Sequence, residues 1–133
     1  MGKQGSLANR ARAQMERHRD EVYARDWREC VAAGRLGMEC GGGLTLQHRV
    51  NRGMGGSGSV GDGPQWYVTM CALHNAALEQ TVQARMLARH YGWSVRPGHD
   101  QDARVLTTPV HYPDGGWYLL DADGWRERTW PSL

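Results

Sequence analysis

The segment MCALHNAALEQ, residues 70–80, decides how the rest of the sequence is interpreted, because it begins like half of a zinc site and continues as a helix. A zinc knuckle usually has the form Cys-x-x-Cys, whereas this segment has Cys71-x-x-His74, followed directly by Asn75. Zinc binds imidazole nitrogen as well as thiolate sulfur, so the Cys–His pair offers suitable ligands at an ordinary knuckle spacing. A complete tetrahedral site needs two more ligands from elsewhere in the chain.

The two remaining cysteines, Cys30 and Cys40, can supply these ligands. The N-terminus has no apolar stretch of the kind found in secretory signals, so we expect the chain to remain in a reducing cytoplasm, where disulfides are rare. We therefore predict a structural Zn²⁺ held by a Cys3His set, which is Cys30, Cys40, Cys71 and His74. The spacing between Cys30 and Cys40 is not that of a knuckle, so three free thiols and a core histidine are the alternative.

Around this segment the sequence predicts a strand, a glycine-rich loop, a second strand and a helix. Residues 44–50 (LTLQHRV) alternate apolar and polar side chains, and residues 65–70 (QWYVTM) are rich in residues that favour strands. Residues 51–63 are rich in glycine and are predicted to be a surface loop. From Leu73 to Tyr91 the main apolar residues share one helical face, which predicts a single helix.

Two further parts flank this core. Residues 6–27 lack glycine and proline, and they predict a basic N-terminal helix that leans on the core. The last part of the chain predicts an antiparallel meander, because three strand-like segments are separated by the turn sequences PDGG and DADG. These segments are residues 104–112, 116–120 and 124–130.

The predicted fold class is therefore α+β, with three consecutive parts. These are an N-terminal basic helix (1–26), a zinc-containing core (27–95) and a C-terminal β extension (96–133). The chain contains no stretch of about 18 apolar residues, so we expect no membrane span.

Charge is distributed unevenly along the chain. Residues 1–28 carry seven basic and four acidic side chains, whereas residues 96–133 carry four basic and six acidic ones. A basic N-terminal part is typical of contact with a polyanion, and an ordinary solvated surface is the alternative. The six tryptophans are compatible with base stacking, but small cores more often use tryptophan for packing.

The sequence between the cysteine pairs, QHRVNRGMGGS, together with the later CALHN, resembles the HNH endonuclease superfamily, which has the ββα-metal fold. The resemblance extends from about Trp27 to Trp93 and is to the short phage and actinobacterial members. It implies a ββα-metal core clamped by the zinc site, in a bacteriophage enzyme that cleaves DNA in the cytoplasm of the bacterial host. It also implies phage packaging proteins or host proteins as further partners.

The same resemblance implies a role for each residue of the motif. His48 matches the general-base histidine, which activates water for phosphodiester hydrolysis. Asn75 and Gln47 occupy ligand positions of a catalytic divalent cation, which is Mg²⁺, Mn²⁺ or Ni²⁺. Glu79 lies one helical turn beyond Asn75 and can add a carboxylate, with an exposed salt bridge as its alternative role. In another assignment His74 binds the catalytic metal, and the zinc site is then incomplete.

Arg49 and Arg52 lie beside His48 in a stretch without acidic residues, which predicts a phosphate clamp on DNA. Two positions depart from the family pattern. Gln47 stands where most relatives have Asp, Glu or His, and Trp66 stands where they have an asparagine that orients the base. These departures favour a rival function, which is a non-catalytic zinc module that binds DNA or a host protein on the same scaffold.

Overall fold

The computed structural model describes residues 7–50 and 63–130. Within these ranges the chain forms an α+β fold, as predicted, and it contains four helices and two small antiparallel sheets. The helices are α1 (Leu7–Arg25), α2 (Ala72–Gln80), α3 (Val82–His90) and α4 (Gln101–Thr107). The strands are β1 (Leu44–His48), β2 (Tyr67–Cys71), β3 (Val110–His111), β4 (Trp117–Leu120) and β5 (Arg126–Thr129). No helix in the described part of the chain combines the length and the hydrophobicity that a membrane span requires.

The first sheet is a hairpin of β1 and β2, in which Leu44 lies opposite Cys71 and His48 lies opposite Tyr67. All residues of β2 are buried, because both α1 and α2 pack against this strand. Helix α2 follows β2 without a loop. Cys71 ends the strand and caps the helix, since its sulfur accepts a hydrogen bond from the backbone N–H of His74.

The hairpin has two faces that contact different helices. Side chains alternate across a strand, so Leu46 and His48 project from one face of β1, while Thr45 and Gln47 project from the other. Leu46 packs in a buried cluster with α1, and we call its side of the hairpin the α1 face. Thr45 is hydrogen-bonded to Asn75 of α2, and we call its side the α2 face.

Two clusters of buried apolar residues hold the elements together. The first joins the segment after α1, the hairpin, α2, α3 and the C-terminal sheet, and it includes Val31, Trp93 and Leu120. The second joins α1, the hairpin and α4, and it includes Val22 and Val105. Each cluster combines residues from more than one of the three predicted parts of the chain. The parts therefore share their cores, and the C-terminal extension packs directly on the predicted core of residues 27–95.

The predicted single helix from Leu73 to Tyr91 is wrong, because two helices meet at Thr81. Thr81 has an extended backbone conformation (φ −129°, ψ 141°), and its hydroxyl accepts a hydrogen bond from the backbone N–H of Ala84 at 3.1 Å. The same hydroxyl donates to the carbonyl of Ala77 at 3.3 Å. A threonine at this position therefore ends α2 and caps α3.

The predicted strand at residues 104–112 is wrong over most of its length, because α4 occupies its first half and only β3 remains extended. The segment is rich in β-branched residues, which favour strands. The helix is stabilised instead by an ion pair one turn apart, between Asp100 and Arg104 at 2.9 Å, and by the complete burial of Val105. The rest of the predicted meander is confirmed, with the antiparallel strand order β3–β4–β5.

Candidate metal centre

Three cysteines and one histidine come together at the N-terminal end of α2. Cys71 and His74 lie at the start of this helix, and Cys30 and Cys40 lie in the turn-rich segment between α1 and β1. The four potential ligand atoms all lie within 4.8 Å of one another. In residues 7–50 and 63–130, this is the only group of three or more Cys, His, Asp or Glu side chains arranged to hold a metal ion.

The distances within this group suit a tetrahedral zinc site. The Nδ1 atom of His74 lies 3.3 Å from the sulfur of Cys30 and 3.8 Å from the sulfur of Cys40. Zinc bonds of about 2.3 Å to sulfur and about 2.0 Å to nitrogen, at tetrahedral angles, would place such atoms about 3.5 Å apart. The observed distances lie on either side of this value, so His74 is spaced from Cys30 and Cys40 as zinc ligands are, and the four residues together could hold one ion.

A hydrogen bond at one ring nitrogen of His74 determines which of the two nitrogens can bind a metal. Nε2 lies 2.9 Å from the backbone carbonyl oxygen of Met38, which can only accept a hydrogen bond. Nε2 therefore carries the proton, and Nδ1 of the neutral ring keeps the lone pair that a metal needs. Carbonyl partners of this kind orient the histidines of zinc sites. This arrangement favours His74 as a member of the Cys3His set over its alternative role in a catalytic site.

The three thiols lie in different environments. Burial raises the pKa of the Cys30 thiol to about 12. Burial also acts to raise the pKa of Cys71, but backbone N–H groups, including that of His74, donate towards its sulfur and hold its pKa below the ordinary value. Cys40 is exposed. A zinc ion would stabilise the thiolate form of all three, because a coordinating thiol gives up its proton.

Asn75 fastens the start of α2 to the first strand of the hairpin. Its amide nitrogen donates a hydrogen bond to the hydroxyl of Thr45 at 2.9 Å and a longer one to the carbonyl of Leu46 at 3.4 Å. Both contacts use the nitrogen, so the amide oxygen of Asn75 has no protein partner among the described residues. Glu79, one turn further along α2, is exposed.

His48 lies on the opposite side of the hairpin from Gln47. Its ring packs edge-on against Tyr67 with 5.1 Å between the ring centroids, and Tyr67 stacks on His18 of α1 at 6.5 Å. Gln47 is half-buried on the α2 face, the side that Asn75 contacts. The structure therefore brings Gln47 and Asn75 to one side of the hairpin and places His48 on the other.

The prediction that Arg49 contacts DNA phosphate is wrong, because its side chain is completely buried. The guanidinium donates hydrogen bonds to four backbone carbonyl groups. These belong to Gly92 (3.0 Å), Gln65 (3.0 Å), Val105 (2.7 Å) and Thr108 (3.0 Å). Burial lowers the pKa of Arg49 to about 9, so the group keeps its charge at neutral pH. Arg52, the other half of the predicted clamp, lies outside the described residues.

A second buried group of charged side chains is not evident from the sequence pattern. Arg25 donates to both carboxylate oxygens of Asp26, at 2.8 and 3.0 Å. The hydroxyl of Tyr112 and the backbone N–H of Thr69 donate to the same carboxylate, at 2.5 and 2.9 Å. Adjacent arginine and aspartate residues at a helix end resemble ordinary surface charges. Here they join α1, the hairpin and the C-terminal part of the chain.

The tryptophans divide between the core and the surface. Trp66 and Trp93 are buried, in agreement with the expectation that tryptophans serve for packing. Trp27, Trp125 and Trp130 instead leave 66%, 72% and 79% of their surfaces exposed. Packing in the core does not account for these three residues.

No protein-family model, curated protein or solved structure matches this chain. The resemblance to the HNH superfamily therefore depends on the motif residues alone. What the protein does has to be inferred from those residues and from the positions that the fold gives them.

Proposed function

We propose that this protein is a zinc-stabilised, metal-dependent HNH endonuclease that hydrolyses DNA phosphodiester bonds and that originates from a bacteriophage. The position of Asn75 carries the proposal. Asn75 directly follows His74 of the Cys3His group, and it fastens α2 to the strand that contains Gln47 and His48. A hairpin followed by a helix, with a Cys3His group at their junction, agrees with the ββα-metal fold that the motif resemblance implies.

The side chains near the end of β1 suit phosphodiester hydrolysis. An imidazole such as that of His48 can, in its neutral form, take a proton from the attacking water. A hard divalent cation, when bound, would stabilise the charge that develops on the phosphate and on the leaving oxygen. The amide oxygens of Gln47 and Asn75 and the carboxylate of Glu79 are oxygen donors of the kind that such a cation prefers.

One observation favours a second function, which is a non-catalytic zinc module that binds DNA or a host protein. Strand alternation directs His48 towards the α1 face, whereas Gln47 and Asn75 lie on the α2 face. A base and a metal that act on the same phosphate must both reach the reacting atoms. If His48 and the oxygen donors stay apart, the protein binds DNA without cleaving it.

His48→Ala is expected to slow the nicking of supercoiled plasmid by at least about 100-fold, because a general base typically contributes 10²- to 10⁴-fold to the rate. Nicking is measured with purified protein in Mg²⁺, Mn²⁺ or Ni²⁺, and thermal unfolding shows whether the variant is folded. His99→Ala serves as the matched control, since His99 is exposed and lies outside the motif. Absence of nicking by the wild-type protein, or equal nicking by the wild type and His48→Ala, favours the non-catalytic function.

Gln47→Asp is expected to lower the metal concentration that half-maximal nicking requires, and Glu79→Gln is expected to raise it. Two neutral amide oxygens bind Mg²⁺ weakly, because this ion is usually held by at least one carboxylate. For the same reason we expect the wild-type protein to be more active with Mn²⁺ than with Mg²⁺. Gln80→Glu controls for the added negative charge, since Gln80 is exposed at the end of α2. An unchanged metal dependence in an active Gln47→Asp protein means that residue 47 does not face the metal.

A further inference from the structure

We propose that the C-terminal sheet, together with Trp27, forms a binding site for single-stranded DNA that is separate from the HNH motif. The site is a row of alternating aromatic and arginine side chains, which we call the arginine–aromatic ladder. Its members are Trp27, Arg126, Tyr118, Arg128 and Trp130. That the strand is DNA and not RNA rests on the proposed function.

Arg126 occupies the centre of the ladder and is surrounded by three aromatic rings. Its guanidinium carbon lies 4.4 Å from the ring centroid of Trp27, 4.1 Å from that of Tyr112 and 4.3 Å from that of Tyr118. All three distances are well below the limit of about 6 Å for a cation–π contact. These contacts hold the cation in place without providing ordinary acceptors for its N–H groups.

Arg128 continues the row along β5. Its guanidinium carbon lies 5.9 Å from the ring centroid of Tyr118 and 5.7 Å from that of Trp130. Arg126, Arg128 and Trp130 are alternate residues, so they project from the same side of the strand, and Tyr118 lies opposite Arg128 in the neighbouring strand. The pleat of the sheet therefore generates the alternation of rings and cations.

Both arginines keep N–H groups for an external acceptor. In the described part of the chain, neither the Arg126 nor the Arg128 guanidinium forms a hydrogen bond or an ion pair with a protein acceptor. Asp114 lies beside the ladder, and its carboxylate accepts a hydrogen bond from Tyr118 at 2.6 Å. Glu127 lies between the two arginines along β5, but strand alternation directs its side chain to the opposite side. Phosphate oxygens are the acceptors that the planar guanidinium fork matches best.

Trp27 joins the ladder through an unusual backbone conformation. Trp27 and Arg28 have φ angles of 56° and 54°, in the left-handed region that residues with a Cβ atom rarely adopt. Both residues directly follow α1, and the backbone N–H groups of Trp27 and Arg28 donate to the carbonyls of Ala24 (3.1 Å) and Tyr23 (2.7 Å), the Schellman pattern that ends many helices. This helix end leaves the Trp27 side chain 66% exposed. Its contact with Arg126 places the indole at the end of the row.

The ladder fits a single strand better than a duplex. Trp27 and Trp130 lie at its two ends with exposed rings, and an unpaired base can stack on such a ring. The arginines between them supply positive charge for the phosphates that link successive bases. In a duplex the base faces are already stacked on one another, so the exposed indoles would have no base face to contact.

Binding of a fluorescently labelled oligothymidine of about 20 nucleotides, long enough to cover a site of this kind, tests the proposal. Anisotropy is measured with the full-length protein and no added divalent cation, at several salt concentrations. Trp130→Ala is expected to weaken binding roughly 5- to 150-fold, the effect of losing one stacked base. Arg128→Ala is expected to reduce the slope of log affinity against log salt by about 0.7, the value for one phosphate contact in a single strand.

Trp125→Ala is the matched control, because Trp125 is exposed to a similar extent and precedes β5 on the opposite side of the strand. We expect it to bind like the wild type. Equal binding by Trp130→Ala and Trp125→Ala overturns the proposal, and so does a duplex or an oligoribonucleotide that binds more tightly than the oligothymidine. The assay does not require His48 or a catalytic metal. Binding that depends on Trp130 in a protein that never nicks plasmid contradicts the endonuclease alone, whereas nicking without such binding contradicts the ladder alone.

Discussion

Cys40→Ser is expected to release the bound zinc and to abolish cooperative unfolding of the protein. Cys40 is exposed, so without a metal this substitution would change the free energy of unfolding by no more than about 0.5 kcal/mol. As a zinc ligand it has a much larger effect, because structural zinc contributes on the order of 10 kcal/mol to the folding of small domains. Whole domains are stable by only about 5–15 kcal/mol. Cys30 and Cys71 are buried in the first apolar cluster, so their replacement would also disturb packing.

The metal content and the unfolding transition are measured on the same preparations. The wild-type protein should contain about one zinc per chain, as a four-ligand site requires, and Cys40→Ser should contain almost none. Glu39→Gln provides the control, because Glu39 is the exposed neighbour of Cys40 and is not part of the Cys3His group. It should keep both the zinc and the transition. A metal-free Cys40→Ser protein that unfolds cooperatively at the wild-type temperature would contradict a structural role for the metal.

Sequence patterns predict well those helices and strands that the residues within the element itself determine. The absence of glycine and proline from residues 6–27 predicts a helix, and α1 extends over Leu7–Arg25. The alternation in residues 44–50 predicts a strand, and β1 extends over Leu44–His48. The Cys3His group that could hold zinc was also predictable, because a chain with only three cysteines leaves few ways to complete a tetrahedral site.

The alternation of side chains along β1 also places two candidate catalytic residues on different sides of the hairpin. Adjacent residues of a strand project to opposite sides, so a strand at residues 44–50 already separates Gln47 from His48. The family resemblance, in contrast, implies that both residues act at one phosphate. The structure follows the alternation, and this is why the nicking assay has to decide between the two proposed functions.

The features that sequence patterns do not predict depend on contacts between distant residues. Helix α4 forms in a segment with strand-like composition, because Val105 is buried against α1 and the hairpin. Arg49 follows a predicted catalytic base in a polar, glycine-rich region, which is typical of an exposed side chain. Its four acceptors lie between 16 and 59 residues further along the chain. No local pattern encodes the positions of such carbonyl groups.

Arg49→Lys is expected to lower the free energy of unfolding by about 1–3 kcal/mol for each buried carbonyl that loses its donor. Lysine keeps the positive charge, but its compact ammonium group has three donors on a flexible stem. It cannot reproduce the arrangement in which one planar guanidinium reaches four carbonyl groups from different parts of the chain. At least one buried carbonyl is then left without its partner, which alone costs about 1–3 kcal/mol.

Chemical denaturation measures this effect as a lower midpoint with an unchanged slope. Arg89→Lys is the control, since Arg89 is exposed on α3 and its replacement should change stability by no more than about 0.5 kcal/mol. The Arg49→Lys variant also distinguishes between the two roles considered for Arg49, which are a contact with DNA phosphate and a buried structural network. A phosphate contact made mainly through charge would largely survive the exchange, while the buried network would not. Wild-type stability of Arg49→Lys would therefore contradict the network of four hydrogen bonds that holds the side chain in the core.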